Sequence, residues 1–470
     1  MSTSDYKQQA ELAKAKLATV SPSMCLAKWN QVSLHLPTGL TNSCYHPPLH
    51  KIDAEAVKTN PAALHNTSEK LDQRFKMLQG ERPDGCSYCW KMEDTGEMSD
   101  RHYRSGEPWA MQDFEAIKQN PMTTSWTPRY VEVNFNHACN FKCSYCSPQF
   151  STTWGKETDR YGEFPTTPPH NAPEHFQGRK RPIPNREKNP YVDAFWKWWP
   201  NLFPTLHTFR VTGGEPILHK DMFKVLDYII ENPKVNPMIE MSVNSNLCAP
   251  QDMVEEFIDK VKFITENDLV WNFALFTSIE SWGAHAEYMR DGMDTERFWN
   301  NLDMFLTKCE KPEATIMATY NLTSVPTYNE VIKRVFEIKK EHYNGKRYRH
   351  YSVILDTSYL RQPEFLQIRL LSTKWIDKIR QDVELMESLS EEKYTHIYGH
   401  GHCGFYDFER EKLRRLLDWV DAPLDDVNWL IKMRKDFILF IDEYDKRRGK
   451  NFKETFPEMI DFYDMCKGLL

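Results

Sequence analysis

Cys139, Cys143 and Cys146 stand in His137-Ala138-Cys139-Asn140-Phe141-Lys142-Cys143-Ser144-Tyr145-Cys146, a C-x3-C-x2-C cluster. It directly follows Tyr130-Val131-Glu132-Val133-Asn134-Phe135, whose apolar–polar alternation is that of a half-buried strand. The thiols therefore fall in a loop at a strand's end. Three cysteines this close cannot all pair as disulfides, and thiolates are natural ligands of iron–sulfur clusters. Three ligands on a four-iron cluster leave one iron open for a substrate or cofactor. Buried unliganded thiols and a partial zinc site are the alternatives.

From residue 129 onward strands and helices alternate. The strands are expected at 130–135, 206–212, 238–244, 272–279, 314–320 and 349–355. Helices are expected at 192–199, 221–231, 251–264, 296–308 and 327–342. Six β/α units in sequence imply an α/β fold, a parallel sheet with outer helices, with its site at the strands' C-terminal ends. The second strand leads into Thr212-Gly213-Gly214-Glu215-Pro216, the third ends in Ser242-Val243-Asn244-Ser245-Asn246, and the fourth in Ser278-Ile279-Glu280-Ser281. Arg290 follows in Tyr288-Met289-Arg290-Asp291-Gly292.

At these residues the chain resembles the radical SAM enzymes, whose defining motif is this cysteine spacing with an aromatic residue, here Tyr145, before the last cysteine. The resemblance implies a partial (βα)6 barrel over 129–360. It also implies a 4Fe–4S cluster on Cys139, Cys143 and Cys146, and S-adenosylmethionine (SAM) at the open iron. In that family the reduced cluster cleaves SAM to a 5′-deoxyadenosyl radical, which takes a hydrogen atom from the substrate. By the same resemblance, Gly213, Gly214 and Glu215 hold the methionyl amino group and Arg290 meets the SAM carboxylate. Asn244, Ser245, Ser278 and Glu280 face the cofactor. Glycines allow close backbone approach to a ligand, and a guanidinium fork matches a carboxylate bidentately.

Residues 1–128 carry four more cysteines. Cys25 and Cys44 bracket a predicted hairpin, Gln31–Leu36 with the turn Pro37-Thr38-Gly39, and Cys86 and Cys89 form a C-x2-C pair. Four thiols saturate one metal centre. The surrounding text resembles the auxiliary-cluster region of SPASM and twitch radical SAM proteins, although that region normally follows the barrel and here precedes it. The resemblance implies an auxiliary 4Fe–4S cluster; zinc accepts the same ligands and is the rival. Cys248, Cys309, Cys403 and Cys466 are single cysteines, read as buried thiols, with Cys403 in His400–Gly404 a further possible ligand.

The barrel's first connection, 161–190, is long, rich in proline and basic at Arg179, Lys180, Arg181 and Arg186. It reads as a lid or a solvated loop. Residues 361–470 read as a C-terminal helical extension. The 470 residues carry a net charge of −7, which argues against general nucleic-acid binding. The basic runs at 179–188 and Lys346–Arg349 keep RNA or nucleoside modification as an alternative, alongside a non-catalytic iron–sulfur or zinc scaffold. The N-terminus does not read as a signal peptide, and no stretch approaches the ~20 apolar residues of a membrane span. Eleven cysteines without a secretion signal suit a reducing cytoplasm. The expected partners are a peptide, protein or small-molecule substrate and an external one-electron reductant of flavodoxin or ferredoxin type.

Overall fold

The computed structural model describes residues 3–172, 181–184, 186–342, 353–391, 403–424 and 426–470. Eleven strands are formed among them: β1 (Gln31–His35), β2 (Leu40–Asn42), β3 (His50–Lys51), β4 (Tyr130–Asn134), β5 (Lys142–Cys143), β6 (Thr208–Thr212), β7 (Glu240–Asn244), β8 (Asn272–Ser278), β9 (Arg290–Asp291), β10 (Glu313–Tyr320) and β11 (Val353–Tyr359). Nine of them make one sheet in the order β11-β10-β8-β7-β6-β4-β1-β2-β3, while β5 and β9 pair separately.

The six expected barrel strands are β4, β6, β7, β8, β10 and β11, each parallel to its neighbours. The sixth is described over Val353–Tyr359, where Val353 and Leu355 reach the core. Residues 349–352 lie outside the described residues.

Register shows how the sheet divides its two faces. Val32, Val131, Phe209, Met241 and Phe273 are aligned across five strands, as are Leu34, Val133, Val211, Val243 and Leu275, and all are buried in the main core. The helices Pro190–Leu202, Lys220–Glu231, Gln251–Glu266, Thr295–Lys308 and Tyr328–Glu341 contribute the core's other side. In Gln251–Glu266 the buried positions Val254, Phe257, Ile258, Val261 and Ile264 repeat at helical spacing. Each such side chain contributes roughly 1.5–3 kcal/mol on burial. Asn189 starts the first of these helices, its side chain accepting from the backbone N–H groups of Tyr191 and Val192, with Pro190 in the first turn. The opposite face is polar: Ser33, Glu132, Arg210 and Ser242 form one aligned row, and His35, Asn134, Thr212 and Asn244 the next.

β1 joins this sheet in parallel beside β4, and β2 and β3 follow antiparallel. The predicted hairpin is thus present, but it extends the barrel sheet rather than forming one of its own. Residues on both sides of position 128 share the main core, with Val32, Leu34 and Leu64 packed among barrel side chains. A small separate core holds Cys25, Ala27, Met77, Cys86, Cys89 and Trp90.

The C-terminal helices are Thr373–Ser388, Asp407–Asp421 and Val427–Arg448. Asp407–Asp421 is fixed to the barrel through buried Glu409, which accepts from Lys339 Nζ at 2.7 Å and from the Leu355 N–H at 2.7 Å. Within the 161–190 connection, Phe164 is buried against Phe440, and the Thr167 N–H donates to Asp436. Arg179, Lys180 and Lys346–Arg349 lie outside the described residues. No described helix is long and apolar enough to cross a membrane.

Candidate functional site

The loop bearing Cys139, Cys143 and Cys146 is held from three sides. Gly213 and Gly214 supply the first hold. The Gly214 N–H donates to Asn136 O at 3.1 Å and the Glu215 N–H to Ala138 O at 2.7 Å. A Cβ on Gly214 would overlap the His137–Ala138 backbone, and Gly213 has φ +137° with Asn134 and Asn136 equally close. These glycines therefore admit the cysteine loop's own backbone. Glycine is required here for loop-to-turn docking, whereas the sequence suggested approach to a ligand.

The second hold is the β5–β9 ladder, pairing Lys142 with Asp291 and Cys143 with Arg290. The third comes from the C-terminal extension. Arg448 ends the helix Val427–Arg448; its Nη1 donates to Lys142 O at 2.7 Å, and its Nε and Nη2 reach the two oxygens of Glu157 at 3.2 and 3.0 Å. Lys142 pairs with Glu157 and Asp291 at 2.9 and 3.1 Å, and Lys450 reaches Asp291 at 3.0 Å. Arg448 lies over the Trp154 and Tyr444 rings, and the Trp154 indole donates to Cys143 O at 2.9 Å.

The thiols themselves are half-buried. Burial, then the neighbouring Cys143, pushes the Cys146 thiol up to about 12, and burial raises Cys139 and Cys143 as well. The Phe141 N–H points to Cys139 Sγ at 3.4 Å, a donor suited to a ligating sulfur. Losing Arg448 removes the brace without touching a thiol. Arg448→Ala is expected to cut the iron retained after reconstitution at least twofold, read by iron assay, with Arg448→Lys intermediate because it keeps charge but not the fork.

Glu215 lies at the same end of the sheet, 2% exposed. Its carboxylate accepts from the Asn246 N–H at 2.6 Å, Ser245 Oγ at 2.8 Å and the Ile217 N–H at 3.1 Å. Burial outweighs these donors and raises its pKa to about 7. Asn246 also donates to Asn140, so the ends of β4, β6 and β7 are linked. Asn244 accepts from Arg210 Nε at 3.0 Å.

Ser278 ends β8. Just beyond, Glu280 is enclosed: Arg290 donates to one of its oxygens through Nε at 2.9 Å and Nη2 at 2.6 Å, and the Tyr145 hydroxyl reaches both at 3.2 Å. Arg290 Nη1 lies 3.9 Å from Cys143 Sγ. The fork of Arg290 is thus filled by Glu280, and Tyr145, Glu280 and Arg290 together back the cluster loop. A SAM carboxylate would have to displace Glu280 to meet Arg290.

Cys25, Cys44, Cys86 and Cys89 converge on one cavity, which encloses about 480 Å³ including its mouth. Burial raises Cys25 to about 11, with Cys44 and Cys86 adding, and raises Cys89 to about 12.

 The Cys44 thiol is raised by burial too. Tetrahedral zinc with Zn–S bonds of about 2.3 Å would draw its four sulfurs to within about 4 Å of one another. Among the described residues, no three of these thiols lie within 4.8 Å of one another.

Charge bears on whether these thiols are ligated. Lys28, Lys70 and Arg74 are all at most 2% exposed, and their hydrogen-bond partners are neutral: Gln73 for Lys28, Gln31 O and His65 for Lys70, and Lys28 O, Asn66 and His65 for Arg74. Among the described residues no carboxylate forms a salt bridge with any of the three. Buried cations need a counter-charge, and a centre ligated by four thiolates supplies one. Of the single cysteines, Cys248, Cys309 and Cys466 are buried, as expected. Cys403 is half-buried, and His400–His402 lie outside the described residues.

Sequence reasoning passed over Arg448, Glu157 and Arg210. An arginine amid the apolar alternation of β6 was a usable signal; nothing local marked Arg448.

No protein-family model matches the sequence, and no curated protein matches it. Among solved structures the chain is similar to native anSMEcpe with bound AdoMet, at 15% identity and TM-score 0.35, covering 59% of this chain and 63% of that one. It is also similar to Streptococcus suis SuiB bound to the precursor peptide SuiA, at 11% identity and TM-score 0.36, covering 81% of this chain and 72% of that one. SuiB bound to S-adenosylmethionine gives 12% identity and TM-score 0.31, over 76% and 67%. What the chain does is argued from its own residues.

Proposed function

We propose that the chain is a radical SAM enzyme, with a 4Fe–4S cluster on Cys139, Cys143 and Cys146 and an auxiliary cluster on Cys25, Cys44, Cys86 and Cys89. One observation carries this reading: the Gly213–Glu215 turn docks on the cysteine loop through its backbone, so three thiols and an oriented carboxylate share one end of a parallel sheet. When bound, the cluster and SAM together supply a 5′-deoxyadenosyl radical that removes a hydrogen atom from the substrate.

The chain's own residues bind and orient. Ser245, Asn246 and Ile217 fix the Glu215 carboxylate, which retains lone pairs to accept from the methionyl ammonium. Asn244 and Ser278 offer polar groups at adjacent strand ends. The Glu280–Arg290 pair and Trp154 hold the loop that presents the thiols. At the second site, Lys28, Lys70 and Arg74 balance thiolate charge. The substrate is a peptide, protein or small metabolite that is oxidised or crosslinked, and an external flavodoxin- or ferredoxin-type donor delivers the first electron.

The direct test is 5′-deoxyadenosine formation from SAM by the anaerobically reconstituted, dithionite-reduced protein; a fully loaded protein that cleaves no SAM would be a scaffold instead. Glu215→Gln keeps shape and loses charge. It is expected to weaken SAM binding about 10- to 100-fold by calorimetry, the worth of a charged hydrogen bond.

A further inference from the structure

The polar face of the sheet carries one guanidinium whose fork is open. Arg210 projects from the middle of β6, in the row Ser33–Glu132–Arg210–Ser242. Its Nε donates to Asn244 Oδ1 at 3.0 Å, and its guanidinium lies 4.2 Å from the centre of the Phe276 ring. Glu132 forms an ion pair with the guanidinium, 3.9 Å from Nε and too long for a hydrogen bond. Nη1 and Nη2 donate to no group among the described residues, and the side chain is 18% exposed. Arg290, by contrast, has its fork filled.

Its place matters as much as its valence. Arg210 lies three residues before Gly213, about 10 Å short of the Gly-Gly-Glu turn along the strand. On its other side is Glu132, 3.5 Å from the Tyr45 hydroxyl, and Tyr45 lines the four-thiol cavity next to Cys44. The Tyr45 hydroxyl also meets that of Tyr130 at 3.0 Å. Arg210 is therefore linked through Glu132 and Tyr45 to the rim of the four-thiol cavity, on the strand that runs into the Gly-Gly-Glu turn.

We infer that Arg210, steadied by Asn244 and Phe276, binds a carboxylate of the substrate bidentately on the polar face of the sheet. A planar fork over an aromatic ring is suited to this anion. The inference deepens the proposed function by naming a substrate class: an acid, either a small carboxylic acid or an acidic residue of a peptide.

The test is modification of Arg210 by phenylglyoxal in the reconstituted full chain, followed by peptide mass mapping. With SAM present, saturating glutarate is expected to slow modification of Arg210 at least fivefold, and the neutral glutaramide to leave it unchanged. Acetyl-Gly-Glu-Gly-amide and its Gln counterpart, used in the same way, separate peptide from small acid as the source. Equal rates with the charged and neutral probes of both pairs would overturn the inference. So would full protection by SAM alone, which would assign Arg210 to the cofactor. Failure of the radical SAM reading is seen separately, as wild-type protein that binds no SAM.

Discussion

Replacing Cys139, Cys143 and Cys146 together by alanine is expected to lower the iron of the reconstituted protein from about eight to about four per chain, one cluster's worth. Formation of 5′-deoxyadenosine should fall below detection. The fold should survive, because backbone contacts hold the loop: the Gly214 and Glu215 N–H groups, the β5–β9 ladder and Arg448. A circular dichroism spectrum matching wild type would therefore accompany the loss. SAM cleavage persisting in this variant would remove the assignment of the cluster to these thiols.

The second large effect belongs to the N-terminal site. Cys86→Ala with Cys89→Ala is expected to remove the other four irons, as one cluster, while some SAM cleavage, uncoupled from product, continues. This variant should also be markedly less stable. Burial, with Arg74 and Lys28 close by, already holds Lys70 well below its usual pKa. Without thiolate charge, Lys28 and Arg74 stay buried with neutral partners only, and Lys70 is pushed further toward its neutral form. Breaking a buried charge pairing costs about 3–5 kcal/mol, so a loss of that order is expected in denaturant unfolding. Adding Lys70→Met to the double variant should recover part of it. No recovery would mean that the loss comes from packing alone. About one zinc per chain, with iron unchanged in the double variant, would make the site structural instead.

Much of this was legible locally. Cysteine spacing and Gly-Gly-Glu-Pro are contiguous, so chemistry could be read without knowing any long-range contact. Five of the six barrel strands also announced themselves within two residues of their observed starts, because apolar and polar residues alternate there. Pairing across the chain was not legible in the same way. Pro37-Thr38-Gly39 specified the antiparallel partner β2, which is a few residues away; the parallel partner β4 lies about a hundred residues on and leaves no local mark. Arg290 and Glu280 show what the sequence left out: β9 pairs with β5, and the two side chains pair with each other, with Tyr145 reaching both Glu280 oxygens.

The contact between Arg448 and Lys142 spans 306 positions of sequence. During synthesis at roughly 5–20 residues per second, the thiol loop leaves the ribosome long before its brace exists. For at least ~15 s at that rate the loop exists without Arg448, gaining the Gly-Gly-Glu turn and then β9 as they are made. Cluster delivery is then best timed after translation, and a chain cut short before residue 448 would hold iron poorly. The end of the long helix thus ties metal acquisition to the making of a distant part of the same polypeptide.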